Sequence, residues 1–172
     1  MRHTFGSLAL VMAMSSAAPV MAQDTQKKPG PFDPIEIGEG VTLDPIVDMR
    51  FRVETAEQST FPDTATSITV RTRAGAELKW AKNFSVLVEG EGTFALEGDY
   101  NDTIPSNGIE PFPVIADPES FSLNRAQIAY KNSDFAATLG RQRIILDDAR
   151  FVGNVGWRQN EQTFDAARVK AN

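Results

Sequence analysis

Cysteine is absent from the 172 residues, and histidine occurs once, at His3. The first absence removes disulfides, thiol nucleophiles and thiolate-based zinc sites. The second leaves almost no imidazole chemistry, and none if the N-terminus is cleaved, so the commonest acid-base and nucleophilic arrangements are unavailable. Cations are also in deficit, with 17 basic against 23 acidic residues and a net charge of −6. A general nucleic-acid binder wants a basic face, so no nucleic-acid partner is expected. The one sustained apolar run, from Leu8 to Ala18, is shorter than the roughly 20 residues a membrane-spanning helix needs. No segment carries a convincing helical period.

The N-terminus reads as an export signal. Arg2 supplies a basic start, the Leu8 to Ala18 run an apolar middle, and Val20-Met21-Ala22 the small residues of a cleavage site, which assigns residues 1–22 to a signal peptide. Removing it takes away His3 and one basic residue, leaving a net charge of −7. Residues 23–44 contain Pro29, Pro31 and Pro34, three glycines and seven charges without an apolar period, and read as a linker or periplasmic lead-in.

From residue 45 onward, assigned to a single β domain over 45–172, the hydrophobic period is two, which means strands. Val47, Met49, Phe51 and Val53 alternate with Asp48, Arg50, Arg52 and Glu54. A longer run alternates Ile68, Val70, Thr72, Ala74, Ala76, Leu78 and Trp80 with a polar set that includes Arg71, Arg73, Glu77 and Lys79. A third begins at Phe84, with Glu89 and Glu91 on its polar side. The fourth, residues 121–131, sets Ala126, Ile128 and Tyr130 against Arg125, Gln127 and Lys131, and the fifth opens with Phe135, Ala137 and Leu139. A sixth begins near Thr163.

Two features set this pattern apart from a soluble sandwich. The second run has about 13 residues, whereas soluble strands average about 5 to 6 and a tilted bilayer-crossing strand needs about 9 to 11. The connections alternate long and short, as in outer-membrane barrels with short periplasmic turns and long external loops. Trp80 and Phe84 flank the first short turn, Tyr130 and Phe135 the second, all on the apolar side, where an interfacial aromatic girdle belongs. Charge on every second residue cannot face a dry core, because each unpaired buried ion costs several kcal/mol. It can face a water-filled lumen, and the polar sides of the first four runs carry Arg50, Arg52, Arg71, Arg73, Arg125 and two lysines against five carboxylates. The competing reading is the solvated face of a soluble antiparallel sheet.

The segments Leu139 to Ile144 (LGRQRI) and Leu146 to Val169 (LDDARFVGNVGWRQNEQTFDAARV) are the most specific part of a resemblance running from about Leu43 to the end. The chain resembles the N-terminal part of the alginate export family of outer-membrane β-barrel porins. The resemblance implies passive passage of anionic oligosaccharide or other small polar solutes through a basic-lined channel in a Gram-negative outer membrane. Outer-membrane lipid, periplasmic chaperones and the barrel-assembly machinery are then expected partners. Arg141 and Arg143 end a strand while Arg150 and Arg158 lie in the loop after it, so these four are candidates for an anion-recruiting constriction. Strict alternation puts Arg141 and Arg143 on the face of Leu139, so a bulge near Gly140 is expected, or a strand that has already left the membrane. Salt bridging to Asp147 and Asp148 is the competing role.

The fold class expected is therefore all-β: an antiparallel transmembrane barrel fragment of about six strands, fewer than the eight of the smallest closed outer-membrane barrel. A piece of that size is expected to give no discrete channel conductance alone. No catalytic set, cofactor or metal is expected. Gly90 to Ala95 fits a loose dinucleotide fingerprint but lies inside a strand with no helix after it. Asp99, Asn101 and Asp102 have calcium-ligand types without the spacing of a known loop, and residues 97–120, with six carboxylates and no cation, read as a solvated acidic loop. Glu89 and Glu91 point the same way along one strand and do not flank a substrate as glycosidase carboxylates do. A soluble periplasmic carbohydrate-binding module and a structural outer-membrane protein without transport remain the alternatives.

Overall fold

The computed structural model describes residues 30–104 and 111–171; the signal-peptide assignment falls outside them. Seven strands form one antiparallel sheet in chain order, each hydrogen-bonded to its sequence neighbour. They are β1 (Ile35–Gly38), β2 (Val41–Ala56), β3 (Ala65–Trp80), β4 (Phe84–Asp99), β5 (Ser120–Lys131), β6 (Phe135–Gln142) and β7 (Phe164–Ala171). The sheet is a half-barrel, with β1 and β7 at its edges. No helix among the described residues is long and apolar enough to cross a membrane, which says nothing of strands.

β2, β3 and β4 each run 16 residues, long enough to cross a bilayer with tilt. One expected boundary shifts. β1 and the first residues of β2 lie in the stretch read as linker, because Ile35 and Ile37 alternate with Glu36 and Gly38 around a turn in which Gly40 has φ +66°. That alternation is only four residues long and sits among prolines, which hid it. The short connections behave as expected: Ala81 and Lys82 take left-handed backbone at β3–β4, and the Asn132 side chain accepts from the amides of Asp134 and Phe135 at β5–β6.

Burial is inverted relative to a soluble domain. On the polar side Arg71 is 2% exposed and Glu89 1%, whereas on the apolar side Met49 is 68% and Phe121 86% exposed. The described parts of two long connections, residues 100–104 and 111–119 in the first and 143–163 in the second, fold over the polar side through contacts such as Asp117 with Arg52 and Gln159 with Thr69. A small apolar cluster of Ala65, Tyr100 and Ile115, with Phe112 against it, anchors the first of these loops. Residues 97–120 are therefore not wholly solvated as expected, since Asp102 and Asp117 are both buried. Asp102 accepts from the Ile104 amide two residues on, whereas Asp117 accepts from Arg52 and from the Gln159 amide, distant donors that local composition does not show.

Candidate functional site

The polar side of β2–β5 and the loop 143–163 share a closed charge network. Ladder register sets it up: Asp48 lies opposite Arg73, Arg50 opposite Arg71, and Arg73 opposite Glu91. Arg73 donates from Nε to Glu91 at 2.6 Å and meets Glu161 of the loop at 2.8 Å. Arg125 grips Glu89 with two bonds, at 2.9 and 2.6 Å. A bulge between Glu89 and Gly90 leaves Asn124 as an extra residue on β5, so Asn124 also reaches Glu89, at 2.8 Å, and Glu161, at 3.0 Å. Arg143 bridges the two carboxylates, 2.5 Å from Glu161 and 3.5 Å from Glu89. Three guanidiniums thus offset three carboxylates, the condition under which ions tolerate burial.

The loop residues in this network titrate accordingly. Burial pushes the Glu161 carboxyl up, but the bonds from Arg143, Asn124 and Asn154 outweigh it and hold the group below the ordinary carboxylate range. Burial pushes Arg143 down, and Glu161 more than reverses that. In the loop 100–119 the Tyr100 hydroxyl is pushed up to about 12 by burial, with Asp102, Glu119 and Asp117 adding to it.

A second set of contacts pins the same loop to β2 and β3. Arg50 donates to the carbonyls of Gly156 at 2.9 Å, Arg158 at 3.0 Å and Trp157 at 3.2 Å. Arg52 pairs with Glu54 and with Asp117, the latter at 2.7 Å, and Asp117 in turn accepts from the Gln159 amide. The buried Gln159 side chain donates to Thr69 Oγ1 at 2.8 Å. Arg71 pairs with Asp48, and its Nε and Nη1 have no partner among the described residues.

The four arginines considered for a constriction have separate surroundings. Arg143 belongs to the Glu89 and Glu161 network. Arg158 lies over the Trp157 ring at 4.8 Å and donates to the Ala116 carbonyl. Arg150 is exposed beside the turn at Asp147–Ala149. Arg141 stays on the face of Leu139 and Ile128, paired with Asp165 through bonds of 2.9 and 2.7 Å. The expected bulge at Gly140 is absent: β5 and β6 pair without a register shift from Lys131 opposite Ala136 to Ala126 opposite Arg141. Arg143 reaches the other face because the strand ends at Gln142. Asp147 and Asp148 are partners of neither arginine; the actual ones lie 18 to 54 residues away, beyond any local pattern.

On the apolar side the four aromatics are in continuous ring contact, Trp80 to Phe84 at 5.7 Å, Phe84 to Tyr130 at 4.9 Å and Tyr130 to Phe135 at 5.5 Å. Register opposes Trp80 to Phe84 and Phe84 to Tyr130, so the row follows from strand pairing. The sequence reading missed Glu161, Asn124, Gln159 and Asp117. A carboxylate inside the otherwise uncharged run Gln159-Asn160-Glu161-Gln162 was the available signal for the first. Among the described residues no group of three or more acidic or imidazole side chains could hold a metal ion.

An open antiparallel half-barrel with a charged interior face and an apolar exterior has few explanations outside a membrane, and the comparison with known families gives the rest. Residues 43–172 match the alginate export family. The chain belongs to that family. No curated protein and no solved structure matches it. Alginate export is a transport function, and together with the all-β half-barrel it fits an outer-membrane exporter. The fingerprint-like glycines Gly90 and Gly92 of this alginate-export chain lie within β4, as strand residues.

Proposed function

We propose that the chain forms part of an outer-membrane channel wall that passes anionic oligosaccharide, or small polar solutes of the same charge, by passive diffusion past an arginine-bearing interior. The inverted burial carries this reading, because only a surrounding of lipid stabilises Met49, Phe51, Val88 and Phe121 facing outward while arginines and glutamates face in. The aromatic row serves as the interfacial girdle at the short-turn rim, and periplasmic chaperones and the assembly machinery deliver the chain to the membrane. Loop 143–163 narrows the lumen, since Arg50, Arg52 and Arg73 hold its backbone and Glu161 against the wall. No step needs a cofactor or covalent chemistry.

Fractionation tests the location. An outer-membrane band whose mobility changes on heating is expected, and a soluble periplasmic band contradicts it. Binding tests the substrate class: the full chain, folded in detergent, is expected to bind a short oligogalacturonate and not uncharged maltotriose of similar size. Equal affinity for the two contradicts the anionic reading.

A further inference from the structure

The described parts of the two long connections have separate anchors on the sheet. The first, residues 100–104 and 111–119, is held by the apolar cluster of Ala65, Tyr100 and Ile115, with Phe112 against it. Its two arms are tied to each other, the Asn101 amide donating to the Pro113 carbonyl at 3.3 Å and the Ile115 amide to the Asn101 carbonyl at 3.0 Å. The second, residues 143–163, is held through Glu161. The partners of that residue, Arg73, Arg143, Asn124, Asn154 and Glu91, all lie outside the first connection.

Between these anchors the connections share one joint. Asp117, 2% exposed, accepts with one carboxylate oxygen from Arg52 of β2 at 2.7 Å and with the other from the Gln159 amide of the second connection at 3.0 Å. Its carbonyl accepts from the Tyr100 hydroxyl at 3.1 Å, which joins it to the apolar anchor. Arg158 donates to the adjacent Ala116 carbonyl at 3.3 Å, and Arg52 also donates to the Trp157 carbonyl at 3.2 Å. Gln159 is fully buried, with its side chain on Thr69 of β3. A buried carboxylate is tolerated only with its donors in place, and a buried amide only with its acceptor. If the second connection leaves the wall, Asp117 loses the Gln159 amide. If the first leaves, the buried Gln159 amide loses the carboxylate, and Arg158 the Ala116 carbonyl. Each departure therefore costs more while the other connection stays.

We propose that the two connections are one latched body with Asp117 as its joint, so that residues 111–119 and 154–162 leave the interior face together rather than in turn. The proposal rests on the reading above only in that residues 143–163 narrow the interior, and it concerns how that narrowing is released. Two elements that each weaken the other's seat behave as a two-state unit, and their coupling is reciprocal. A change at Glu161, which touches nothing in the first connection, is therefore felt at Ile115, and a change at Phe112 is felt at Gln159. Opening the long-connection end of the wall and widening the interior are then a single event.

Hydrogen exchange on the full chain folded in detergent reads this coupling without any solute, so its outcome is separate from the fractionation and binding tests of the function. Glu161→Gln is expected to speed exchange roughly tenfold over residues 154–162 and by a similar factor over residues 111–119, with the β3–β4 ladder at the parent rate. In an Asp117→Ala background the joint is already cut, and adding Glu161→Gln is expected to speed residues 154–162 further while leaving residues 111–119 unchanged. Folding of each variant is checked by heat-modifiable mobility. Should Glu161→Gln misfold, Phe112→Ala loosens the first anchor instead, and coupling then requires faster exchange over residues 154–162. Parent-rate exchange over residues 111–119 in folded Glu161→Gln, or over residues 154–162 in folded Phe112→Ala, shows two independent connections and overturns the joint. Faster exchange that extends to the β3–β4 ladder shows loosening of the whole sheet and also overturns it, as does a response of residues 111–119 to Glu161→Gln that persists in the Asp117→Ala background.

Discussion

Glu161 lies between Arg73 and Arg143 with its side chain 1% exposed, so one carboxylate ties the inserted loop to β3 and to the end of β6. Glu161→Gln keeps the shape and removes the charge. It is expected to weaken the seat by about 1.5 to 3 kcal/mol, the range for a hydrogen bond to a charged group, seen as faster hydrogen exchange over residues 154–162 with the β3–β4 ladder unchanged. The sign of the pH effect follows from the lowered carboxyl. A group held below its ordinary value of 4.5 contributes stability that is complete above that value and is lost as pH falls through its folded value. Trp157, with its ring beside Arg52 and Arg158, reports this. In a Trp80→Phe background its fluorescence is expected to hold constant from pH 8 to pH 5 and to shift only in stronger acid. A transition near neutrality would contradict the assigned role of Glu161.

At the scale of strands, the sheet depends on close backbone approach at glycines such as Gly75 and Gly140 and on the side chains of its apolar face. A Cβ at Gly75 would overlap the Val88 carbonyl oxygen, whereas one at Gly98 meets nothing within 4 Å. Gly75→Ala is therefore expected to disrupt β3–β4 pairing and reduce the heat-modifiable fraction sharply, and Gly98→Ala to leave it intact. Val88→Arg separates membrane from water. On a strand facing lipid it costs about 2 to 4 kcal/mol near the midplane, while at a solvated position it costs little, and denaturant unfolding from bilayers measures the difference. These strands were legible because period two is a local property: the run from Ile68 to Trp80 announces β3 on its own. The charge network was not, because Glu161 and Arg73 are 88 positions apart and only strand register and loop insertion bring them together. Asn124 reaches Glu89 through a bulge that nothing in Ser122-Leu123-Asn124-Arg125 signals.

For the whole molecule, everything turns on which face of the sheet meets lipid. The soluble and membrane readings share the same strands and differ only there, so composition could not separate them. Strand length, loop alternation and the family match favour the membrane. The absence of native cysteine makes a direct measurement simple, since single cysteines can be introduced along β2 and spin-labelled without background. In chains folded into lipid bilayers, labels at Val47, Met49, Phe51 and Val53 are expected to collide with membrane-dissolved oxygen. Labels at Ile46, Asp48, Arg50 and Arg52 are expected to be shielded from it. A clear period-two alternation in oxygen accessibility is the predicted result; equal oxygen exposure on both faces, or water-like exposure at Met49 and Phe51, would contradict the inverted wall.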